Sequence, residues 1–322
     1  MIDCEKEIKK YWDDDVKLLS DKVTILKEHR DTNMNKLKSR LKKDNFPLYR
    51  EEINQGSYAM KTIIQHPKND YDIDVGVIFN EDDLESKSKN DPLEIRKYIA
   101  DIMKDDRFNK QPDYIKNCVR VYYNDGHHVD MPIYKEYKDE NDKTIQKLAS
   151  SQWEESEPKS INRWFEKQKK QKKELKKLVQ LIKKWSRSRE SWNLPSGLIL
   201  TILTGEKYVS NYSRLDEKLY WTLKELRNKL KDNKKVFNPT NNDEITSTEK
   251  HQNKVENLYK RLNEMFDANG SINLSDLETI QDKKKALLIW KKFFNDDFFV
   301  NQVKEIKEAT ITNTNQPWLK TI

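Results

Sequence analysis

The sequence predicts an α+β protein: a strand-rich lobe built on a mixed sheet with helices, followed by a lobe that is almost entirely helical. Three observations carry this. From about residue 48 to 150, short runs alternate apolar and polar residues at the period of two that a half-buried strand requires. After Trp153 that pattern fades and apolar residues recur at three and four. Ahead of both, residues 3 to 43 contain neither Gly nor Pro, and Ile8, Trp12, Val16, Leu19, Val23 and Leu26 recur every three or four positions.

Taken in order, the first segment reads as one long amphipathic helix ending before Pro47. Strands follow at LYREEIN, YDIDVGVIF, CVRVYY, HHVDMPIY and KTIQKLA, interrupted by one helix around PLEIRKYIADIMKDD. Helices are expected at about 160 to 188, 195 to 206, 215 to 231, 248 to 267 and 280 to 294. Pro195 and Ser196 open the second of these, because proline suits a first turn and serine satisfies free backbone amides there. FNPTNNDEITST reads as a surface loop and TNTNQPWLKTI as a loosely held tail. The expected domains are therefore 1–152 and 153–322, with a cleft between them.

Composition narrows the function classes. Charged residues make up 36% of the chain, yet eight Trp, fourteen Tyr and ten Phe supply the large apolar surface that a disordered chain lacks. No apolar run is long enough to span a membrane, and MIDCEKEIKKYW lacks the apolar stretch of a signal peptide, so the cytoplasm is the expected compartment. Cys4 and Cys118 make neither a disulfide framework nor a zinc ribbon and read as free thiols. A formal charge of +7 favours phosphate-bearing partners, leaving nucleotide and nucleic acid both open.

The chemistry concentrates in two strands. In YDIDVGVIF, Ile73, Val75, Val77 and Phe79 alternate with Asp72, Asp74, Gly76 and Ile78, so Asp72 and Asp74 point the same way. Two such carboxylates repel one another in a poorly solvated site unless a cation lies between them. Oxygen ligands of this hardness select magnesium or manganese. Asp130, between Val129 and Met131, completes a site for two ions if its strand is a neighbour. Upstream, Gln55, Gly56 and Ser57 form a strand-to-helix turn in which glycine admits close approach and Ser57 with the helical amides can hold phosphate.

A Gly-Ser turn, then about fifteen residues later an Asp-x-Asp between apolar residues, then an apolar-Asp-apolar strand, resembles the nucleotidyltransferase superfamily of polymerase β. HPKND reads as an extra loop within the first interval. More narrowly, QGSYAMKTIIQHPKNDYDIDVGVIF with HHVDMPIY is similar to the CD-NTases, the cGAS/DncV-like bacterial enzymes of CBASS antiphage defence. The resemblance implies a polymerase-β-like core joined by the long N-terminal helix to a second lobe like that of oligoadenylate synthetase (OAS), with LVQLIKKWSRSRESWNLPSGLILTIL as its first helices. It also implies Asp72, Asp74 and Asp130 as catalytic metal ligands for two Mg²⁺ ions, Mn²⁺ serving in their place, and Gln55, Gly56 and Ser57 as nucleotide-binding.

Outside this core, Lys183 resembles a triphosphate contact of related second lobes, with Lys184 as the alternative and a solvated surface lysine as the rival reading. Ser196 resembles a serine used on the same phosphates, and helix capping explains it equally. Trp185 and Trp192 read as core. His127 and His128 are adjacent, face opposite ways in a strand and do not together bind one metal. No Cys and His cluster matches the zinc insertion by which the animal DNA sensor grips duplex DNA.

The implied activity is synthesis of a cyclic di- or trinucleotide second messenger from NTPs, with an operon-encoded effector responding to the product and the enzyme acting as a monomer away from membranes. The Lys-rich run at 167 to 177, with KLKSRLKK at 36 to 43, is the surface expected for an RNA activator, a solvated helix face being the alternative. Rival functions are nucleotidyl transfer to RNA, tRNA or another acceptor, and a catalytically silent RNA-binding relative.

Overall fold

Three consecutive aspartates divide the N-terminal helix. In the computed structural model, which describes residues 1–67, 71–267, 269–270 and 272–314 with side chains through residue 306, helix α1 covers Glu5–Tyr11 and α2 covers Ser20–Lys43. Between them Trp12–Val16 makes one π turn, closed by the Lys17 amide donating to the Trp12 carbonyl at 2.9 Å, and Lys17 and Leu19 are extended. Asp13, Asp14 and Asp15 are poor helix formers whose like charges crowd one turn, so the expected single helix is interrupted there. Leu19 and Val23, expected on its apolar stripe, are 43% and 42% exposed.

The chain folds as two compact units, Leu18–Lys167 and Met1–Lys17 with the chain from Gln168 onward. These limits differ from 1–152 and 153–322 for identifiable reasons. Tyr11 of α1 packs its ring 4.8 Å from Phe294 and 4.9 Å from Phe299, which assigns the first helix to the helical unit. A last short strand, Trp153–Glu155, pairs into the sheet and carries that unit past residue 152.

In the Leu18–Lys167 unit the strands among the described residues are β1 (Glu51–Gln55), β2 (Asp72–Asn80), β3 (Asp113–Ile115), β4 (Cys118–Tyr122), β5 (His128–Met131), β6 (Ile133–Lys138), β7 (Thr144–Ala149) and β8 (Trp153–Glu155). Their order is β3-β4-β5-β2-β6-β7-β8, with β1 also on β2. Strand β2 is the hub: antiparallel to β1, parallel to β5 over its first residues and parallel to β6 over its last. Pro132, which has no N–H to donate, joins β5 to β6 and accepts from the Val77 amide at 2.9 Å. The sheet is mixed, as expected.

Ile73, Val75, Val77 and Phe79 are completely buried on one face of β2. They pack with Leu26, Met34, Leu37 and Leu41 of α2, and with Ile95 and Ile99 of a helix at Pro92–Ile102. That helix is α5, after α3 (Gly56–Ala59) and α4 (Glu81–Ser86). The Asp91 side chain accepts from the Leu93 and Glu94 amides and Pro92 occupies the first turn, which fixes where α5 begins. Residues 68–70 of the HPKND loop lie outside the described residues.

The other unit is helical. The predicted 160 to 188 helix is two, α6 (Ser160–Gln171), most of which lies in the Leu18–Lys167 unit, and α7 (Leu175–Ser186), because Glu174 takes a left-handed backbone (φ 69°) after a lysine-rich stretch with no apolar residue to bury. Helices α8 (Gly197–Glu206), α9 (Leu215–Asp232), α10 (Glu249–Met265) and α11 (Lys283–Phe294) fall close to expectation. Helix α12 (Phe298–Thr314) was not anticipated: Asn295 ends α11 in the left-handed region, and Phe299 returns to stack on Phe294 at 5.7 Å. Of the expected tail, 315–322 lie outside the described residues. No described helix is long and apolar enough to cross a membrane.

Because Leu37 is fully buried between α2 and the sheet, Leu37→Ala is expected to cost about 2–5 kcal/mol in denaturant unfolding. A loss below about 1 kcal/mol would contradict this docking of α2.

Candidate active site

Parallel pairing of β2 with β5 sets Ile73 opposite Val129 and Asp74 opposite Asp130. Paired residues project on the same face, and so do residues two apart on one strand. Asp72, Asp74 and Asp130 therefore converge on the face turned away from the apolar core, each offering an oxygen within 4.8 Å of the others. Asp72 is exposed, Asp74 half-buried and Asp130 buried.

A fourth charged group completes the cluster. Antiparallel pairing of β4 with β5 places Arg120 opposite Asp130, and its guanidinium donates from Nε to Oδ1 at 2.7 Å and from Nη2 to Oδ2 at 2.6 Å. The sequence reading missed Arg120. Its signal was an arginine between Val119 and Val121, both of which are fully buried on the core face. The hydrogen bonds to Asp130 hold the guanidinium's pKa above its ordinary value.

Three carboxylates against one guanidinium leave a formal charge of −2. Burial, and then the Asp72 and Asp130 carboxylates, push the Asp74 carboxyl up to about 7, with Arg120 opposing the shift only in part. A carboxylate so disfavoured is what a divalent cation relieves, and the donor set is all oxygen, so the cluster fits a hard ion. Asp130 has lone pairs left after its two bonds to Arg120. Both cysteines are free and buried, with burial pushing the Cys4 thiol up to about 12 and the Cys118 thiol higher than usual, so neither is a nucleophile at neutral pH.

The Gly-Ser turn meets this cluster directly. Strand β1 passes into α3 at Gly56, whose φ is +60°. A Cβ there would lie 2.1 Å from Asp74 Oδ2, so both backbone and space require glycine. Gln55 pairs with Asp74 across β1 and β2, and its side chain lies over Gly76, donating from Nε2 to the Tyr134 hydroxyl at 3.1 Å. Ser57 is half-buried in the four-residue α3, and its carbonyl accepts from the Thr62 amide at 2.8 Å.

In the helical unit, Lys183 is buried beside the start of α8: a Cβ on Gly197 would meet its Cε at 3.0 Å. Ser196 caps α8 by accepting from the Ile199 amide at 3.5 Å, so Lys183 and Ser196 are neighbours. Lys184 instead donates to the Asp15 carbonyl at 3.0 Å. Trp185 is buried and stacked on Phe293 at 5.3 Å, while Trp192 lies edge-on to Trp185 with Arg189 over its ring at 4.6 Å, so both belong to the packing. In the basic run, Lys172 donates to the Gly205 carbonyl at 2.6 Å and Lys177 pairs with Glu174 at 3.0 Å.

Residues 51–134, which contain Gln55, Gly56, Ser57, Asp72, Asp74, Arg120 and Asp130, match the family model for the cyclic GMP-AMP synthase DncV-like nucleotidyltransferase domain. Residues 51–134 thus carry a DncV-like nucleotidyltransferase domain. The fold agrees across most of the chain's length. Escherichia coli MS115-1 CdnC, solved in complex with HORMA-deltaN, is 19% identical with a TM-score of 0.70, covering 91% of this chain and 98% of that one. Vibrio cholerae DncV in its 3′-deoxy ATP-bound form is 15% identical at TM-score 0.68, covering 91% and 95%. The Bradyrhizobium diazoefficiens CD-NTase CdnG in complex with GTP is 15% identical at TM-score 0.64, covering 94% and 96%.

The geometry of the cluster has two measurable consequences. The Asp74 carboxyl sits near 7 in the folded chain against an ordinary 3.8, so the native state holds a proton that the unfolded chain has released. Metal-free protein should therefore lose thermal stability as pH rises from about 4 to about 7, with Mg²⁺ restoring most at the upper end. Calorimetry of wild type against Asp74→Asn checks this, the variant losing most of the slope. Gly56→Ala should place its methyl group on Asp74 and lower Mg²⁺ affinity at least about tenfold by titration calorimetry. Unchanged affinity would show that the turn does not need glycine.

Proposed function

We propose that this protein is a CD-NTase, a cyclic oligonucleotide synthase that uses NTPs, with Asp72, Asp74 and Asp130 as its catalytic metal ligands. The observation that carries the reading is the register of Asp74 against Asp130 with Asp72 on the same face, because the reaction needs fixed negative oxygens beside a triphosphate. Two Mg²⁺ ions, or Mn²⁺ in their place, would supply neutralisation of the triphosphate and a lowered pKa for the acceptor ribose hydroxyl. Asp72, Asp74 and Asp130 hold that charge in place; Arg120 fixes the orientation of Asp130 through both carboxylate oxygens. Gly56 lets the turn approach the carboxylates, and Gln55, Gly56 and Ser57 are assigned to the nucleotide, with Lys183 and Ser196 on its phosphates.

In the step itself, the acceptor hydroxyl gives up its proton to solvent, its oxygen bonds to the α-phosphorus, the bond from α-phosphorus to the bridging oxygen breaks, and pyrophosphate leaves with its electron pair. The same exchange on the linear product closes the ring. The nucleotides bound to DncV and CdnG support NTPs as substrates. An RNA activator and an effector responding to the product extend the reading on the resemblance alone.

Purified protein with the four NTPs and Mg²⁺ is expected to give a cyclic product by mass spectrometry, with no acceptor added. Linear transfer appearing only when RNA or tRNA is supplied would favour the acceptor-directed rival, and no turnover with retained RNA binding the silent one. Asp72→Ala with Asp74→Ala should lower turnover by about 10³-fold or more while leaving the melting temperature in the absence of metal unchanged or raised. Retained turnover refutes the assignment.

A further inference from the structure

On the core face of the same sheet, a second group of ligating side chains comes together from distant parts of the chain. His29 lies on α2, while Asp125 and His127 lie in the turn between β4 and β5. His127 Nδ1 is 3.4 Å from His29 Nδ1 and 3.2 Å from Asp125 Oδ2, and His29 Nε2 is 3.5 Å from Asp125 Oδ2. One ligand atom from each lies within 4.8 Å of the other two. Donor atoms around a tetrahedral zinc, with bonds of about 2.0–2.1 Å, stand about 3.3 Å apart. His29 presents Nδ1 to His127 and Nε2 to Asp125, so an ion takes one of these nitrogens, and a trio within 4.8 Å reaches tetrahedral spacing by a small rotation of the side chains.

Hydrogen bonding alone leaves it incompletely satisfied. Burial lowers the pKa of both imidazoles, so each is neutral at pH 7 and offers one N–H and one lone pair. If His127 Nδ1–H donates to Asp125, it has nothing to give or accept opposite His29 Nδ1. His127 is 1% exposed, so water does not supply the missing partner. The surroundings also hold the ligands still. Asp125 uses Oδ1 to accept from the His127 amide at 3.1 Å, which aims Oδ2 at the imidazoles. Gly126 takes a φ of +93°, closing the turn that brings Asp125 and His127 to one side. The His29 ring stacks on Tyr123 with centroids 3.6 Å apart and planes at 12°, and the Tyr123 hydroxyl donates to the His29 carbonyl at 3.1 Å.

We propose that His29, Asp125 and His127 form a divalent-metal site separate from the acidic triad, taking a zinc-class ion with a fourth position open on the Asp125 side. Two imidazoles and one carboxylate select a borderline ion such as Zn²⁺ over Mg²⁺. Asp125 is half exposed, which gives the ion a way in, while His29 and His127 are shielded. The ion would tie α2 to the β4–β5 turn. The proposal does not rest on the reaction proposed above.

The test is Zn²⁺ titration of the full chain carrying Asp72→Asn and Asp74→Asn, which disables the acidic face. One equivalent of Zn²⁺ should bind at micromolar or tighter affinity, and Co²⁺ in its place should give the visible absorption of a four-coordinate nitrogen and oxygen site. Adding Asp125→Asn or His29→Gln should weaken Zn²⁺ binding by about 100-fold or more, with circular dichroism confirming that each variant is folded. If His29→Gln fails to fold, the more exposed Asp125→Asn decides alone. No saturable Zn²⁺ binding, or affinity unchanged by Asp125→Asn, overturns the proposal and leaves the three residues as a hydrogen-bonded cluster only.

Discussion

The constraint on which the rest depends is the crowding of negative charge on one face of a buried strand. Strand geometry alone puts Asp72 and Asp74 side by side, and parallel pairing adds Asp130 opposite Asp74. None can withdraw, because Ile73, Val75 and Val129 between and behind them are fixed in a core without solvent access. Burial and the two neighbouring carboxylates push the Asp74 carboxyl up to about 7, a cost on the order of a few kcal/mol against folding at neutral pH. Arg120 removes one charge and no more. The protein tolerates this arrangement because the apolar face of the same sheet is continuous with α2 and α5, and such a site becomes favourable once a cation or a cation-bearing substrate is present.

Division of labour between the two sheet faces explains the neighbouring elements. Gly56 and Gly76 are both glycine because the acidic face is crowded: one yields its Cβ space to Asp74 Oδ2, the other to the Gln55 side chain. Pro132 allows β5 and β6 to run one after the other beside β2, so that β5 brings Asp130 to the start of β2 while β6 pairs Tyr134 with Ile78 toward its end, and the Tyr134 hydroxyl holds the Gln55 side chain. The turn at Gln55–Ser57 is thereby braced by the sheet it leaves.

Much of this was legible in the residues themselves. The alternation in YDIDVGVIF was enough to orient Asp72 and Asp74, and Asp130 needed only its strand to be a neighbour. What the sequence hid was pairing between distant segments. Arg120 is recognisable as a partner only once the turn around Gly126 sets the β4–β5 register, and His29 stands 98 residues from His127. The N-terminal helix misled for a different reason: a regular spacing from Ile8 to Leu26 continued through Asp13–Asp15, where adjacent charges and poor propensity outweigh periodicity. Glu174 broke the 160 to 188 helix similarly, where lysines outnumber any residue that could pack. Helix α12 follows from aromatic packing of Phe299 on Phe294, which no local pattern reports.

One hairpin links the two clusters. Strands β4 and β5 carry Arg120 and Asp130 on the acidic face, and the turn between them carries Asp125 and His127 on the other. A slip of one residue in this hairpin would turn Arg120 and Asp130 toward the apolar core and remove both from the cluster. The turn is therefore the point at which register is set, and it is also where Gly126, the Asp125 bond to the His127 amide and the His29–Tyr123 stack converge. An ion bridging α2 to that turn would stabilise the register at its source without touching substrate. The geometry of the acidic face would then depend on groups lying on the opposite side of the sheet.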